Sequence, residues 1–548
     1  MIVPRFIAGF AGHRDRFDHD KISEALTKVW RDLQEKVALR GGQLELYSSI
    51  AYGADTLAVE CARATGLPVH LILPKPVIKL ADGRVDQRSG FTADFWVPDS
   101  GGRPARFRES DWQRSFTQIT DAQSGANGGT LRLTHGSQCQ PECYYDAGLD
   151  MLECCDVLVT VWDGKGNGKL GGTAQMVGHA RGTGLPLIII AADTGQISAE
   201  RLEEFASRND AGSGVIREVD EFSSACAHGV ANTVETSDQI FNRLEKCSRR
   251  ESDQFRNYLV RVIKFHGCAT FVAAVACILP HGDGWKPLLA ALALAEFCLV
   301  ALALWLTHQL NRKHVHERWM KTRFAAELLR AMRNSAGLLD PLYPLVARHD
   351  NTWRRFAVTL GLMRNREQPR PGCWQAARAI YVQERLRHTD IRLGQIKYFG
   401  DKQAQAAPRF HRTVWWGGFL TKIAVVFVFG AVVYKTWGWL GASGHTATAH
   451  EVQPAWTWLE AIYDVAFRLM PIALPLAAGV FISLRAALDS GRRNYRYREL
   501  ADFLTDTAAQ LEVLQTEASV RRAVAGTEEV LLDELIEWRL AEQQNSGH

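Results

Sequence analysis

The sequence predicts an amino-terminal α/β domain with a doubly wound parallel sheet, followed by an all-α domain with four transmembrane helices and cytoplasmic helices. Two observations predict this fold class. In residues 1–193, apolar strand-like runs alternate with helical patterns. Beyond residue 260, four nearly uncharged stretches each approach the roughly 20 residues that a membrane helix needs. The net charge, 64 Lys+Arg minus 60 Asp+Glu, is +4, so no nucleic-acid partner is expected.

Five short apolar runs predict the strands of the sheet. Near-continuous apolar strands separated by helices are typical of a parallel sheet that is covered on both faces. Helices are predicted for Asp18–Leu39 and Thr56–Thr65, from about Pro141, and from Thr173. The predicted strands are Val3–Gly9, Gln43–Ser49, Leu67–Leu73, Asp156–Trp162 and Leu187–Ala191.

An insertion at residues 76–140 interrupts this alternation and is longer than ordinary loops. It places aromatic side chains among arginines, which suits an adenine and its phosphates. A small subdomain that packs on the sheet or on another protomer is an equally good interpretation. The residues concerned are Phe91, Phe95, Trp96, Phe107, Trp112, Phe116, Arg103, Arg106, Arg108 and Arg114.

Three glycine-containing turns follow predicted strands: the first is Gly9–Arg14, the second Ser49–Asp55 and the third Gly164–Thr173. The carboxyl ends of parallel strands meet at one edge of the sheet, where ligands bind. Glycine lets backbone N–H groups approach an anion, and the following helix N-terminus adds partial positive charge. One such turn would be explained by chain reversal alone, but three at one edge favour a nucleotide-like ligand. The predicted ligand-binding residues are Gly12, His13, Arg14, Ser49, Gly53, Asp55, Asp163, Gly171, Gly172 and Thr173.

Two segments carry a family resemblance. Tyr47–Ala58 with Ala64–Pro74 resembles the middle of the SLOG superfamily, which includes DprA and the LOG hydrolases, and Cys155–Gly164 with Gly171–Thr173 resembles its second half. The resemblance implies a Rossmann-like fold and a nucleotide-derived ligand. SLOG domains of Thoeris effectors bind cyclic ADP-ribose-type signals, and related domains begin TRPM channels. The implied partner is therefore a nucleotide second messenger, either an ADP-ribose derivative or a cyclic oligonucleotide, with no cofactor.

One departure from the LOG pattern argues against catalysis. LOG hydrolases carry Pro-Gly-Gly-x-Gly-Thr-x-x-Glu, and aligning Gly172–Thr173 with its Gly-Thr puts Met176 at the glutamate position. A thioether cannot transfer a proton, so we expect a sensor and no enzyme; a membrane-tethered LOG-like phosphoribohydrolase is the alternative. No metal site is expected, because the four cysteines near His135 lack paired Cys-x-x-Cys spacing. They are Cys139, Cys143, Cys154 and Cys155.

Four transmembrane helices are predicted near 262–281, 287–307, 414–434 and 465–487. Basic clusters before the first and third and after the second and fourth place both termini in the cytoplasm by the positive-inside rule. Buried helices of a large soluble domain are the alternative. The predicted domains after 1–193 are a connecting segment at 194–255, a first hairpin with a cytoplasmic helix at 256–345, a cytoplasmic helical linker at 346–411, and a second hairpin with carboxyl-terminal helices at 412–545.

The two hairpins are predicted to be copies of one unit. Arg323–Leu329 follows the second span and Arg498–Leu504 follows the fourth, an offset of 498 − 323 = 175, which also superposes residues 287–307 on 462–482. Hairpins followed by such a helix are similar to the SLATT class of predicted effectors in bacterial conflict systems. That resemblance implies an effector in the bacterial inner membrane, working as a homo-oligomer.

Two charges fall near the middle of predicted spans, Glu296 in the second and Lys422 in the third. A lone charge there costs at least ~2.5 kcal/mol, so each should face protein or water. They are predicted to form an ion pair within a subunit or to line the pathway that opens on activation. Together these features predict an antiphage effector that senses a nucleotide signal and permeabilises the membrane; a nucleotide-gated ion channel without a defence role is the alternative.

Overall fold

The structure is a computed structural model. It describes residues 2–14, 17–80, 85–92, 109–121, 131–133, 141–166, 170–227, 235–277, 279, 285–339, 346, 353–367, 373–389, 394–442, 466, 469–488 and 490–546. The chain divides into two compact units, and each is discontinuous in sequence. The first contains Met1–Glu245, Phe324–Ala377 and Val524–His548, and the second contains Lys246–Arg323 and Arg378–Ala523.

A seven-stranded sheet forms the centre of the first unit. Its strand order is β6-β3-β2-β1-β7-β8-β9, and every adjacent pair is parallel except β8 with β9. A separate two-stranded antiparallel sheet pairs β4 with β5. The strands are β1 (Arg5–Gly12), β2 (Gln43–Ser48), β3 (Val69–Leu73), β4 (Val77–Lys79), β5 (Val85–Gly90), β6 (Leu131–Leu133), β7 (Val157–Trp162), β8 (Leu187–Ala191) and β9 (Ile197–Glu200).

The five predicted strands are confirmed as neighbours in one sheet, but the sheet is mixed. The chain reverses directly after β8 through a turn in which Gly195 has φ +72° and donates to the Ala191 carbonyl at 2.8 Å. So tight a turn can only bring the next strand back antiparallel, because a parallel connection needs a long crossover. The predicted purely parallel sheet therefore gains an antiparallel edge strand, β9.

Helices α1 (His19–Ala38), α2 (Ala54–Ala64), α4 (Glu142–Cys154) and α5 (Thr173–Gly182) alternate with the strands. Helix α1 buries one apolar stripe at helical spacing, and Trp30 on that stripe packs edge-on against Phe10 of β1, with ring centroids 6.4 Å apart. Apolar burial against the sheet thus holds the strand ends in fixed positions.

The insertion packs on this core. Helix α3 (Glu109–Asp121) presents Trp112, which stacks on Phe116 at 5.2 Å and donates from Nε1 to the Ile50 carbonyl at 2.8 Å. Phe91 is also fully buried. For these three aromatics the packing interpretation holds. The remaining aromatics of the insertion, and Arg103, Arg106 and Arg108, lie outside the described residues, and Arg114 is exposed.

Helices from later in the chain complete the first unit. They include α6 (Leu202–Ala227), the start of α7 (Ser237–Ala276), most of α9 (Val315–Asn334) and all of α10 (Arg354–Glu367). Helix α10 contacts the sheet: Thr359 Oγ1 accepts the Arg5 N–H at 3.1 Å, and Arg366 pairs with the buried Glu45 of β2 at 2.9 Å. The segment predicted as a linker at 346–411 therefore begins with a helix of the α/β unit.

The second unit is helical. Among the described residues, three helical stretches are long and apolar enough to cross a bilayer, namely Ser237–Ala276, Lys286–Asn334, which covers α8 (Lys286–Arg312) and α9, and Gln395–Gly430. The apolar part of the predicted fourth span is shorter, Met470–Leu484. The helices of this region are the remainder of α7, α8 (Lys286–Arg312), α11 (Trp374–Ile380) with a π-helical turn at Tyr381–Leu386, α12 (Gln395–Ala442), α13 (Met470–Leu488), α14 (Ser490–Val513) and the start of α15 (Glu517–Ser546).

Small and aromatic residues mediate the packing of the apolar helices. A Cβ on Gly267 of α7 would lie 2.7 Å from Val480 Cγ2 of α13, so glycine permits this close approach. Trp416 of α12 stacks on Phe481 of α13 with centroids 6.5 Å apart. Helix α13 thus packs beside two of the three membrane-length helices.

Candidate ligand site at the carboxyl edge of the sheet

The strand order reverses between β1 and β7. From β1 the chain proceeds to β2 on one side, whereas β7 and β8 lie on the other. In open α/β sheets a reversal of this kind opens a crevice at the carboxyl ends of the strands. Two predicted ligand residues stand there, His13 directly after β1 and Asp163 directly after β7.

His13 and Asp163 are in direct contact. His13 Nε2 lies 3.1 Å from the Asp163 backbone nitrogen and 3.1 Å from Asp163 Oδ1. The first contact needs a lone pair on Nε2 and the second needs a proton there, so they belong to alternative protonation states of the imidazole. The Lys165 N–H donates to Asp163 Oδ1 at 2.9 Å and holds the pKa of this exposed carboxyl below its usual value. The edge therefore offers an ionised carboxylate and a histidine whose Nε2 can either accept or donate a hydrogen bond.

Asp55 joins the first and second turns. Its Oδ2 accepts the Gly12 N–H at 3.1 Å, and its Oδ1 accepts the Ser49 hydroxyl at 3.1 Å. The Ala54 N–H, at the start of α2, donates to the His13 carbonyl at 3.0 Å. Gly12, Ser49 and Asp55 are thus brought together, with the Asp55 carboxyl as the link between the ends of β1 and β2.

Burial raises the pKa of the Asp55 carboxyl to about 7, although both of its hydrogen bonds and the Arg14 charge act in the opposite direction. A buried carboxylate loses hydration that two neutral donors replace only in part. Asp55 can therefore exchange a proton near neutral pH while it holds the two turns together.

Gly53 allows the turns to cross closely. Its φ is +104°, and a Cβ there would lie 2.3 Å from the Arg14 carbonyl oxygen. Any other residue would meet both backbone strain and a clash with backbone atoms. Gly53 therefore positions the Arg14 backbone at the sheet edge.

The third turn enters α5 through Gly171 and Gly172. Gly171 has φ +74° and donates its N–H to Gln175 Oε1 at 2.7 Å, and a Cβ there would lie 2.8 Å from the Tyr145 nitrogen. Gly172 is the N-cap of α5, and Thr173 behind it is buried. The third turn therefore lies against the start of α4.

Two helices begin at this edge without a side-chain cap. Gly53 precedes α2 and Gly172 precedes α5, and neither has a side chain that could accept a first-turn N–H group. Backbone carbonyls accept some of these groups: His13 accepts the Ala54 N–H and Gly172 accepts the Gln175 N–H, each at 3.0 Å. Helix α1 differs, because the Asp18 side chain accepts the Lys21 N–H. Uncapped first-turn N–H groups with the positive end of the helix dipole favour an anion.

Tyr144 is a site residue that the sequence analysis missed. The exposed Arg14 guanidinium lies 5.3 Å from its ring centroid, and the same ring packs against Phe91 at 6.2 Å. The sequence did contain a signal for it, because Tyr144 is an aromatic residue in the first turn of the helix that follows the insertion. Tyr144 connects the first turn with α4, beside which the third turn runs, so all three turns belong to one connected edge.

The residues singled out for the LOG motif and for metal binding are placed as follows. Met176, at the position of the LOG glutamate, is buried, and its sulfur would lie 2.3 Å from a Cβ on Gly148 of α4. Cys143, Cys154 and Cys155 are buried free thiols. The described residues contain no cluster of three His, Cys, Asp or Glu that could hold a metal, and His135 and Cys139 fall outside them.

The two intramembrane charges lie on different helices of the second unit, Glu296 on α8 and Lys422 on α12. Glu296 is half-buried and Lys422 is exposed. No ion pair or hydrogen bond joins either group to another described residue of the chain. If Glu296 and Lys422 pair, we expect them to do so between two copies.

Comparison with known proteins assigns no family to this chain. No protein-family model matches it, and no curated protein has a significantly similar sequence. The function therefore has to be inferred from the geometry of the chain's own residues.

Proposed function

We propose that the protein is a membrane-embedded effector of bacterial antiphage defence. Its α/β unit binds a nucleotide-derived second messenger, an ADP-ribose derivative or a cyclic oligonucleotide, and its membrane helices then permeabilise the inner membrane. The SLOG-like and SLATT-like motifs motivate the defence role. The four spans, the cytoplasmic termini and the homo-oligomer belong to the same proposal.

One structural observation supports the sensing role most strongly. The sheet reverses its strand order between His13 and Asp163, and two helices without side-chain caps begin at the same edge. A nucleotide needs an anion site for its phosphates and polar groups for its ribose. Arg14 on the Tyr144 ring supplies a cation for phosphate, and Asp163 supplies an acceptor for a ribose hydroxyl.

The chain offers a direct route from this unit to the membrane. Helix α7 starts in the first unit, and the same 40-residue helix contains the apolar stretch of the first candidate span. At 1.5 Å per residue it extends about 60 Å. Strain from ligand binding in the first unit would reach the first span without crossing a flexible linker.

The first experiment identifies the ligand. The protein is purified from phage-infected and uninfected cells, and bound nucleotides are released and analysed by mass spectrometry. The candidates found are then titrated calorimetrically against the parent protein, Arg14→Ala and Gly172→Glu. We expect both variants to stay folded and to lose at least ~10-fold in affinity, since Arg14 carries the phosphate contact and a Glu would repel an anion at the α5 N-terminus.

The matched control is Arg31→Ala, which removes an exposed arginine elsewhere in the first unit. Unchanged affinity in both site variants would exclude the sheet edge as the binding site. Release of a free base from nucleoside monophosphates would instead favour the phosphoribohydrolase.

The second experiment measures membrane permeability. Proteoliposomes loaded with small ions and with a larger dye are exposed to the identified ligand. We expect ligand-dependent release of both, because a defence effector has to dissipate gradients irreversibly. Reversible flux of one ion type alone would favour a nucleotide-gated channel.

A further inference from the structure

A second cluster of cations lies in the helical unit, away from the sheet. It is formed by Arg256 of α7, Arg323 of α9 and Lys402 of α12. Arg323 and Lys402 lie over the Tyr398 ring, and Arg256 lies close enough to Lys402 to act on its charge. The Arg323 guanidinium is 4.9 Å and the Lys402 ammonium 5.5 Å from the centroid of that ring. We name this group, Arg256, Arg323, Tyr398 and Lys402, the three-helix cation cluster.

The charges around Lys402 are predominantly positive. Those that act on it most strongly come from the guanidinium groups of Arg256, Arg323 and Arg249 and from one carboxylate, Asp253. The three guanidinium groups thus lie close enough to the half-buried Lys402 to act on its charge. Like charges at short range repel, so an anion among them would stabilise the helical unit.

Two members of the cluster lack an acidic partner. Lys402 makes no hydrogen bond or ion pair with any residue that the structure describes. The Arg256 guanidinium donates to one neutral group, the Ser252 hydroxyl at 2.9 Å, and its buried Nε has no partner in the described ranges. Half-buried N–H donors without acceptors are costly. An acceptor such as an oxyanion would satisfy these donors.

We propose that the three-helix cation cluster binds a phosphate group. Guanidinium forks and an ammonium from separate helices suit the several oxygens of phosphate, and Tyr398 keeps two of the cations in place by cation–π contact. The site is distinct from the sheet edge, and the proposal does not depend on a nucleotide binding there.

The phosphate has two possible sources. Arg256 lies about 9 Å of helix before the predicted start of the first span at 262, and Lys402 about 18 Å before the third at 414. At these distances Arg256 lies near the lipid headgroups, and Lys402 lies farther out, in the adjacent cytoplasm. An anionic lipid headgroup and a free phosphate compound share the chemistry that the cluster recognises.

The test compares two double variants of equal charge. Arg256→Gln with Lys402→Gln removes two cluster cations, whereas Arg261→Gln with Arg412→Gln removes two exposed arginines from the same helices, α7 and α12. A third variant, Lys402→Arg, keeps the charge. Circular dichroism and size-exclusion chromatography establish that each full-length variant folds.

One arm titrates inorganic phosphate into the detergent-solubilised protein by calorimetry, at constant ionic strength. The other reconstitutes the protein in vesicles of phosphatidylcholine mixed with a minor fraction of phosphatidylglycerol, and counts retained lipids by native mass spectrometry. We expect the cluster variant to lose phosphate affinity or retained phosphatidylglycerol at least ~10-fold. The exposed-arginine control should stay within ~2-fold, and Lys402→Arg should bind like the parent.

Loss of inorganic phosphate affinity in the first arm identifies a free phosphate compound as the ligand. Loss of retained phosphatidylglycerol in the second arm alone identifies a lipid headgroup. Equal binding by the cluster and control variants in both arms overturns the proposal. If the cluster variant does not fold, Lys402→Gln alone replaces it, and the same comparison decides.

Discussion

Arg355 donates to the backbone carbonyl of Arg5, 350 residues earlier in the chain, at 3.0 Å. Its guanidinium also lies 3.8 Å from the Phe6 ring centroid and 2.9 Å from Asp156 Oδ1. Arg354 contacts Asp156 as well, at 3.2 Å. A helix encoded after the second membrane-length helix is thus fixed to the first strand of the sheet by a buried ion pair, a carbonyl contact and an aromatic ring.

We expect Arg355→Met to destabilise the first unit by about 3 kcal/mol. The substitution leaves Asp156, whose side chain is 9% exposed, with the more exposed Arg354 as its cation and the Ile7 N–H at 2.8 Å as its neutral donor. Removing one partner of a largely buried pair costs far more than the pair contributes. Urea unfolding followed by hydrogen exchange in β1 measures the effect.

The control for this change is Arg181→Met, which breaks the exposed pair with Glu200 and should cost less than ~1 kcal/mol. Equal losses in the two variants would show that α10 does not hold the sheet through Arg355.

Asp55 should make stability depend on pH in a particular direction. The pKa of this acid is about 7 in the folded chain and about 3.9 in an unfolded one. The folded state therefore holds a proton that the unfolded state has released, and stability falls as pH rises from about 4 to 7, by at most ~4 kcal/mol. Above pH 7 this contribution is constant.

Asp55→Asn should remove that slope, because the amide does not titrate. Unfolding free energies of parent and variant, measured from pH 4 to 8, give the difference directly. Parallel curves over this range would mean that Asp55 is ionised throughout.

Gly53→Ala should destabilise the first unit by about 1–3 kcal/mol and abolish nucleotide binding. The Cβ would meet the Arg14 backbone in a conformation that favours glycine. Gly166→Ala, where a Cβ meets no atom within 4 Å, is the matched control and should change stability by less than ~0.5 kcal/mol. Thermal unfolding and calorimetry report the two effects. A Gly53 variant as stable as the Gly166 variant would contradict the close crossing of the turns.

Lys422→Glu should impair assembly or ion flux, because a membrane charge that pairs with no described residue of its own chain is expected to face another copy or water. If Lys422 pairs with Glu296 of a second copy, adding Glu296→Lys to Lys422→Glu restores assembly and ion flux. Val425→Ala, an exposed apolar change on the same helix, is the control. Native mass spectrometry gives the oligomer and dye release gives the flux. If Lys422→Gln and Glu296→Gln both assemble and conduct like the parent, neither a pair nor a pore role remains.

The apolar runs were sufficient to predict the five central strands, because each is buried on both faces. They could not reveal β6, which has three residues, or β9, whose Ile197–Glu200 pattern is largely exposed. The contact of His13 with Asp163 followed from the strand ends meeting at one edge. The docking of α10 could not be predicted, because Arg354 and Arg355 look in sequence like a basic surface segment. Tyr144 was missed because an aromatic at a helix start usually packs in the core.

The discontinuous first unit has a consequence for biogenesis. The α/β unit includes Phe324–Ala377 and Val524–His548, which the ribosome produces only after the first hairpin and after the apolar helix α13, respectively. Domains usually fold as soon as their sequence has emerged. Here the unit that contains the sheet is completed only by segments translated after the membrane-length helices that precede them. A chain that stalls early would lack the helices that complete its amino-terminal unit. Maturation of the proposed sensor would thus require nearly the whole polypeptide, and a partly made chain would present an unfinished sheet unit.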